Sequence, residues 1–463
     1  MLSPPPVFYN GLRPGVTKMK SFLLALLMTV SAQVRADTLL INGTIVAPDQ
    51  IFQNGWLAIE DGKIRSVTPG RPDIKPDREL VTTDIVFPGF VDLHNHPLYG
   101  IFPRWKPPKS YANRYQWRGD SGYLNSIQNP EGKLVASHFC DMDAYVELQA
   151  LMGGTTSILG LFQPADTPKV EPCVEGLARN LDWATGFHGP GVGRERIANV
   201  LGVRPNDIKL SPQAMEMVKS GDYDLIAVHL AEGRPGDPES QAEFAQLKAL
   251  GLLSAKTAVI HGGGLREADF AELAKAGGAF IWSPRSNFEL YGETADVPAA
   301  VRQKVIIALA PDWSPTGSMN MLAELGYAKT VSDRDFGKLF SNKYLFEMAT
   351  AIPARIAKID GKVGSLKPGL FADVFLLRGD TRRPYDALVA AKAQDVTLTL
   401  VGGVTISGAR DYLANLGVSA PDSLALCGEM KAVALPIAAI TARLQKALSA
   451  EGLRLGPMAE CRN

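Results

Sequence analysis

From about Asp84 to Pro353 the chain alternates short apolar runs with helical stretches. TTSILGLF, DLIAVHLAEG, TAVIHGGG, GGAFIWSPRSN and KVIIALAPDWS read as strands, and ESQAEFAQLKALG and READFAELAKAGG as helices with glycine at their ends. This alternation predicts parallel β/α units. An open doubly wound sheet and a (β/α)8 barrel give the same pattern, so the polar positions must separate them.

The flanks have a different texture. TLLINGTIVAP and GWLAIEDGKIRSVTPG, near the start, turn at Asn42-Gly43 and Asp61-Gly62, and GSLKPGLFADVFLLRG and VTLTLVGGVTISG repeat this texture between Gly364 and Gly408. Neither piece has enough strands to bury a core alone, so one small β-sandwich assembled from both ends is expected. The layout is then β-sandwich over 37–87 and 354–410, barrel over 88–353, and a C-terminal extension over 411–463.

Of six histidines, four fall at or near the C-terminal ends of predicted strands. His94 and His96 close DIVFPGFVDLHNH; two residues apart on a strand, they share a face and can take one metal ion. His229, His261 and Asp312 end three later runs. In a (β/α)8 barrel the strand C-termini converge on one mouth, where these five side chains would meet. His138 and His188 do not fit this register, although His188 could line the pocket from a neighbouring loop.

Composition narrows the setting. Hydrophobic residues make up 46% of the 463 positions and charged residues 21%, as in ordinary globular proteins. Lys plus Arg equals Asp plus Glu at 48 each, and no basic patch interleaves with aromatics, which argues against a nucleic-acid partner. From Met19, basic Lys18 and Lys20, an apolar run Phe22–Ala32 and Val34-Arg35-Ala36 have the layout of a secretory signal peptide over 19–36. Residues 1–18 then read as an upstream extension. That apolar run is too short for a stable membrane span, and a periplasmic or secreted protein is expected. Four cysteines in an oxidising compartment allow three pairings; Cys427 with Cys461, flanking the C-terminal segment, is the preferred one.

With these residues in order, HNH after PGFVDL, then HLAE, HGGG, WSPRSNFELYG and PDWSPTGSMNM, the chain resembles the amidohydrolase superfamily. Within it, the chain most resembles the branch of cytosine, guanine and triazine aminohydrolases and imidazolonepropionase. KVGSLKPGLFADVFLL is similar to that branch's return into the β-sandwich, so the resemblance covers nearly the whole mature chain. It implies that His94, His96, His229 and Asp312 bind one divalent metal per chain, zinc before iron. Glu232 matches the branch's proton-shuttling Glu, and His261 the imidazole at the developing oxyanion. The implied chemistry is C–N hydrolysis: Asp312 takes a proton from the attacking water and Glu232 protonates a substrate nitrogen.

Some features bear on substrate. Trp313 follows Asp312 where many relatives carry a small residue, which would narrow the pocket or close it over a flat substrate. The stretch 99–130 carries Tyr99, Phe102, Trp105, Tyr111, Tyr115, Trp117 and Tyr123, either an aromatic wall at the mouth or packing for the insertion itself. In WSPRSN, Arg285 and Asn287 stand where polar recognition is expected, Arg285 being able to clamp a carboxylate or form an internal ion pair. No lysine stands out as a carbamate bridge, which favours a mononuclear site. The expected partner is a small molecule, with homo-oligomers left open. An exported amidase for N-acyl amino acids or dipeptides is the alternative enzyme, and a binding protein on the same scaffold the alternative of another class.

Overall fold

A computed structural model describes residues 38–161, 176–182, 197–200, 202, 220–221 and 223–461, with the backbone alone at 198–200. The proposed leader over 19–36, the residues before it, and His188 lie outside the described residues. Four strands open the chain: β1 (Thr38–Val46), β2 (Ile51–Glu60), β3 (Lys63–Thr68) and β4 (Arg78–Pro88). Five more come from the far end: β13 (Val374–Leu377), β14 (Val396–Val401), β15 (Val404–Ala409), β16 (Asp422–Leu426) and β17 (Glu429–Val433). All nine share one sheet, in the order β16-β17-β15-β14-β13-β4-β1-β2-β3, so the two ends of the chain do build a common β unit. Leu39, Ile41, Leu57, Val374, Leu398 and Leu400 are among the residues of its buried core.

Between them run β5 (Phe90–Asp92), β6 (Thr155–Ile158), β7 (Arg179–Asn180), β8 (Ile197–Val200), β9 (Leu225–Leu230), β10 (Thr257–His261), β11 (Ala279–Trp282) and β12 (Ile306–Leu309). They pair in chain order, β5-β6-β7 in one sheet and β8-β9-β10-β11-β12 in another, and all of these pairings are parallel. A doubly wound sheet reverses its strand order at a switch point; consecutive order throughout is the arrangement of a singly wound α/β unit. Strands β6, β9, β10 and β11 are buried at every residue, which explains why β9, β10 and β11 read as largely apolar runs rather than as alternations, while β6, TTSI, buries three hydroxyl side chains. An isolated parallel bridge, Asn95 to Asp312, joins the segment after β5 to the segment after β12.

Glycine 89 links β4 to β5 where the two sheets meet. A β-carbon there would stand 2.1 Å from Thr156 Oγ1, so the close approach of β5 to β6 requires glycine. Nearby, Arg179 on β7 donates from Nε (2.6 Å) and Nη2 (2.9 Å) to the buried Asp373 carboxylate, which also accepts from Gly402 N at 2.7 Å. The helix Ile437–Ala450 buries Ile437, Ile440, Leu444 and Leu448 in a cluster that includes Met142, Tyr145 and Leu148 of the helix Asn129–Leu151. A Cys427–Cys461 disulfide ties the last described residue back to the sheet, the pairing preferred above. No helix among the described residues is long and apolar enough to cross a membrane.

Candidate active site

The Asn95–Asp312 bridge between the segments after β5 and β12 sets the first three groups. Asp312 N donates to His94 O at 3.1 Å and His96 N donates to Asp312 O at 2.6 Å, so the two strand ends are zipped together. The Asp92 carboxylate accepts from His94 N (3.1 Å) and from Asn95 Nδ2 (2.6 Å), fixing the turn that presents both imidazoles. Burial pushes the Asp92 carboxyl up to about 8. Two neighbouring strands add His229, within β9, and His261, the last residue of β10. His261 and Asp312 both have φ near +69°, a left-handed conformation that turns the chain sharply at the strand end.

Ligand-type atoms converge here in two overlapping groups, His94 with His96 and His229, and His94 with His261 and Asp312; within each, the atoms lie within 4.8 Å of one another. His96 Nε2 and His229 Nε2 are 3.2 Å apart, and His94 Nε2 stands 2.9 Å from Asp312 Oδ1. Both ring nitrogens of His94 are nevertheless buried without a hydrogen bond. Around a tetrahedral cation with bonds of about 2.0–2.1 Å, neighbouring donor atoms stand about 3.3 Å apart, so this donor set fits such an ion.

The electrostatics agree. Burial lowers all four imidazoles, His94 to about 3 and His96 to about 4, with His229 well below its ordinary value and His261 also depressed. Neutral rings keep the lone pairs a metal needs. Burial raises the Asp312 carboxyl, against the pull of His261 and His96.

Beside this cluster lies Glu232. Burial would raise its carboxyl, but His261, Arg114 and a hydrogen bond from Tyr291 outweigh burial and hold it at about 2. Tyr291 Oη donates to Oε1 at 2.6 Å and itself accepts from Trp117 Nε1 at 2.8 Å. On the other oxygen, Oε2, stand Arg114 Nε at 3.5 Å and His261 Nε2 at 3.6 Å. Asn287 donates from Nδ2 to Thr294 Oγ1 at 3.1 Å, which leaves its Oδ1 facing His261 Nδ1 at 3.3 Å. That amide orientation makes Nδ1 of His261 the donor and Nε2 the acceptor.

The remaining predicted residues are placed as follows. Arg285 Nη1 donates to both carboxylate oxygens of Glu460, at 2.7 and 2.8 Å, so its guanidinium is engaged by the chain's own C-terminal segment. Trp313 is buried against Tyr99, Trp117 and Tyr123, with ring centroids 5.4–5.9 Å away. Trp105 is buried against Tyr111 and Tyr123. The aromatic insertion thus packs on itself and on Trp313, and also reaches the site through Trp117. Arg114, Tyr291 and Asp92 were not singled out in the sequence. Tyr291 sat inside the quoted run WSPRSNFELYG, and Arg114 in ANRYQW, hidden among the aromatics.

Residues 85–406 match the sequence model of the amidohydrolase family. Among curated relatives, a 5-methylthioadenosine/S-adenosylhomocysteine deaminase of Syntrophus aciditrophicus is 24% identical over 75% of this chain and 85% of its own length. One from Desulforudis audaxviator is 25% identical over 70% and 81%. Among solved structures, a zinc-bound adenosine deaminase from Xanthomonas campestris superposes with a TM-score of 0.66 at 16% identity, covering 89% of this chain and 98% of that one. The zinc complex of atrazine chlorohydrolase from Arthrobacter aurescens gives 0.67 at 17% identity, covering 88% and 99%. At such identities these likenesses establish the fold.

Proposed function

The chain belongs to the amidohydrolase family and is a metal-dependent hydrolase of carbon–nitrogen bonds; from that premise we propose that it deaminates an amino-substituted nitrogen heterocycle. The observation that carries the proposal is the convergence, at the ends of parallel strands, of a histidine–aspartate donor set with a separately held carboxylate, Glu232. We read the eight parallel strands as one closed (β/α)8 barrel and the nine-stranded sheet as the accompanying β-sandwich, supported by the Asn95–Asp312 bridge and the structural neighbours. His94, His96, His229 and Asp312 would hold a single zinc ion, a choice supported by the nitrogen-rich donor set and by zinc in the two neighbours. Export to the periplasm or beyond is proposed from the leader-like 19–36 segment.

When bound, a divalent cation acts as a Lewis acid that brings the pKa of a coordinated water to about 7. The chain's own groups then divide the proton work. Asp312, with Oδ1 2.9 Å from His94 Nε2 in the donor cluster, would accept a proton from the attacking water. Glu232 starts ionised, so it would take the water's other proton and pass it to the leaving nitrogen, which departs as ammonia, while the proton on Asp312 returns to the product. His261, donating from Nδ1 to Asn287, keeps Nε2 as an acceptor between Glu232 and Asp312, where it orients the nucleophile's proton. Burial of all these groups keeps bulk water from short-circuiting the transfers.

Purified protein should be assayed for ammonia release from 5-methylthioadenosine, adenosine and amino-triazines, beside amine release from N-acyl amino acids and dipeptides. Ammonia from the heterocycles supports deamination. Amine release alone would instead establish the exported amidase, a reading motivated by the leader-like segment but deprived of a free Arg285 clamp by Glu460. Ligand binding without turnover in either panel would mark a binding protein.

A further inference from the structure

Glu232 is gripped from the aromatic insertion as well as from its own strand. The segment 111–115 lies along the residues that follow β9: Arg114 N donates to Glu232 O at 3.0 Å, Arg234 N donates to Ala112 O at 2.8 Å, and Asn113 and Gly233 form an antiparallel bridge. Tyr115 Oη donates to Glu243 Oε1 at 2.6 Å, and Glu243 Oε2 accepts from Ala231 N at 2.7 Å, which fixes the same junction from behind. Arg114 and Glu232 are only 5% and 4% exposed, and their side chains meet at 3.5 Å. Two residues of one short segment therefore address the two oxygens of one carboxylate, Arg114 directly and Trp117 through Tyr291.

We propose that Tyr111–Trp117 is the positioning element of the proton shuttle, with Arg114 and the Trp117–Tyr291 relay fixing the rotamer of Glu232 so that it meets both the nucleophile and the leaving nitrogen. The inference rests on the reading of Glu232 as the shuttle. Its physical basis is that a carboxylate hydrogen-bonded by Tyr291 at Oε1 and ion-paired with the buried Arg114 guanidinium at Oε2 loses the torsional freedom that would otherwise have to be frozen in each turnover. The contacts of Arg114 with Glu232, and of Trp117 with Tyr291, make both positioning residues that act through Glu232.

The test uses the full, metal-loaded chain carrying Arg114→Ala, Arg114→Lys or Trp117→Phe, each alone and combined with Glu232→Gln, and reads kcat and KM on whichever heterocycle releases ammonia. General acid–base groups contribute about 10²–10⁴-fold; mispositioning one by Arg114→Ala should lower kcat by about 10-fold or more, leave KM within about threefold, and be largely rescued by Lys. Trp117→Phe should lower kcat by about three- to tenfold. In the Glu232→Gln background neither change should lower kcat further, because residues acting through one group are not additive. Crystal structures of Arg114→Ala and Trp117→Phe should show the Glu232 carboxylate turned from its wild-type rotamer, and that of Arg114→Lys should show it in place. The same loss with Gln at position 232, or an unmoved Glu232 with unchanged kcat, would overturn the proposal. Should Arg114→Ala not fold, Arg114→Lys and Trp117→Phe carry the test. A wild type inert on every heterocycle would sink the deamination reading, while the variant structures still decide the positioning role.

Discussion

Glu324 occupies the first turn of the helix Met321–Arg334 and is fully buried. Its Oε1 accepts from Arg285 N at 3.2 Å, whereas Oε2 has no hydrogen-bond partner. Burial pushes the carboxyl from 4.5 up to about 8, against the pull of nearby Ser318 and of the Arg285 N–H that it accepts from. The folded protein therefore holds a proton that the unfolded chain releases above pH 4.5. The stability this proton supplies is complete below pH 4.5 and is lost as pH rises through 8. At about 1.4 kcal/mol per pH unit, the full interval is worth about 5 kcal/mol. Glu324→Gln keeps the uncharged shape at every pH. Urea unfolding of both proteins in the presence of a chelator, so that metal uptake adds no pH dependence of its own, should give similar stabilities at pH 5. At pH 9 the variant should be the more stable by most of that about 5 kcal/mol. Parallel stability–pH curves would refute the reasoning, since they would mean that Glu324 titrates alike in both states.

Further outcomes follow from the same geometry. Asp312→Asn should abolish turnover while circular dichroism stays native and part of the metal remains, since three imidazoles persist; a near-normal rate would remove Asp312 from proton transfer. Cys461→Ala opens a loop of sequence separation 34 and should destabilise the chain by about 3–4 kcal/mol in denaturant titrations; an unchanged midpoint would show that the C-terminal segment is held by packing alone. Glu460→Gln weakens the bidentate contact with Arg285, and proteolysis should then clip the residues after Leu453 sooner; equal clipping rates would show that this ion pair does not secure the strap.

Features written in local periodicity were legible from the sequence. The spacing of His94 and His96 marked them as a pair, although β5 ends at Asp92 and it is the turn held by the Asp92 carboxylate, not strand alternation, that presents both imidazoles; apolar runs marked β10, which ends in His261, and β12, which ends three residues before Asp312. Glu232 came from the order of motifs instead, because three residues past a strand histidine says nothing by itself about where a carboxylate points. Contacts between remote segments left no local trace. Arg114 meets Glu232 only because the insertion folds back along β9, and Glu460 reaches Arg285 only because the chain end returns across the strand tips. The strands β16 and β17 have mixed polarity, DSLAL and EMKAV: β16 lies at the sheet edge with one residue buried, and β17 beside it buries Lys431, so neither shows the clear apolar pattern of the central strands. Whether the aromatics were wall or packing was likewise undecidable until Trp313 was seen among Tyr99, Trp117 and Tyr123.

Metal occupancy tests the central claim most directly. Anomalous diffraction from crystals of the protein grown with zinc, collected on both sides of the zinc edge, should place a single peak among His94, His96, His229 and Asp312, and His229→Ala should remove it. A peak elsewhere, or one that survives the loss of His229 at full height, would contradict the account.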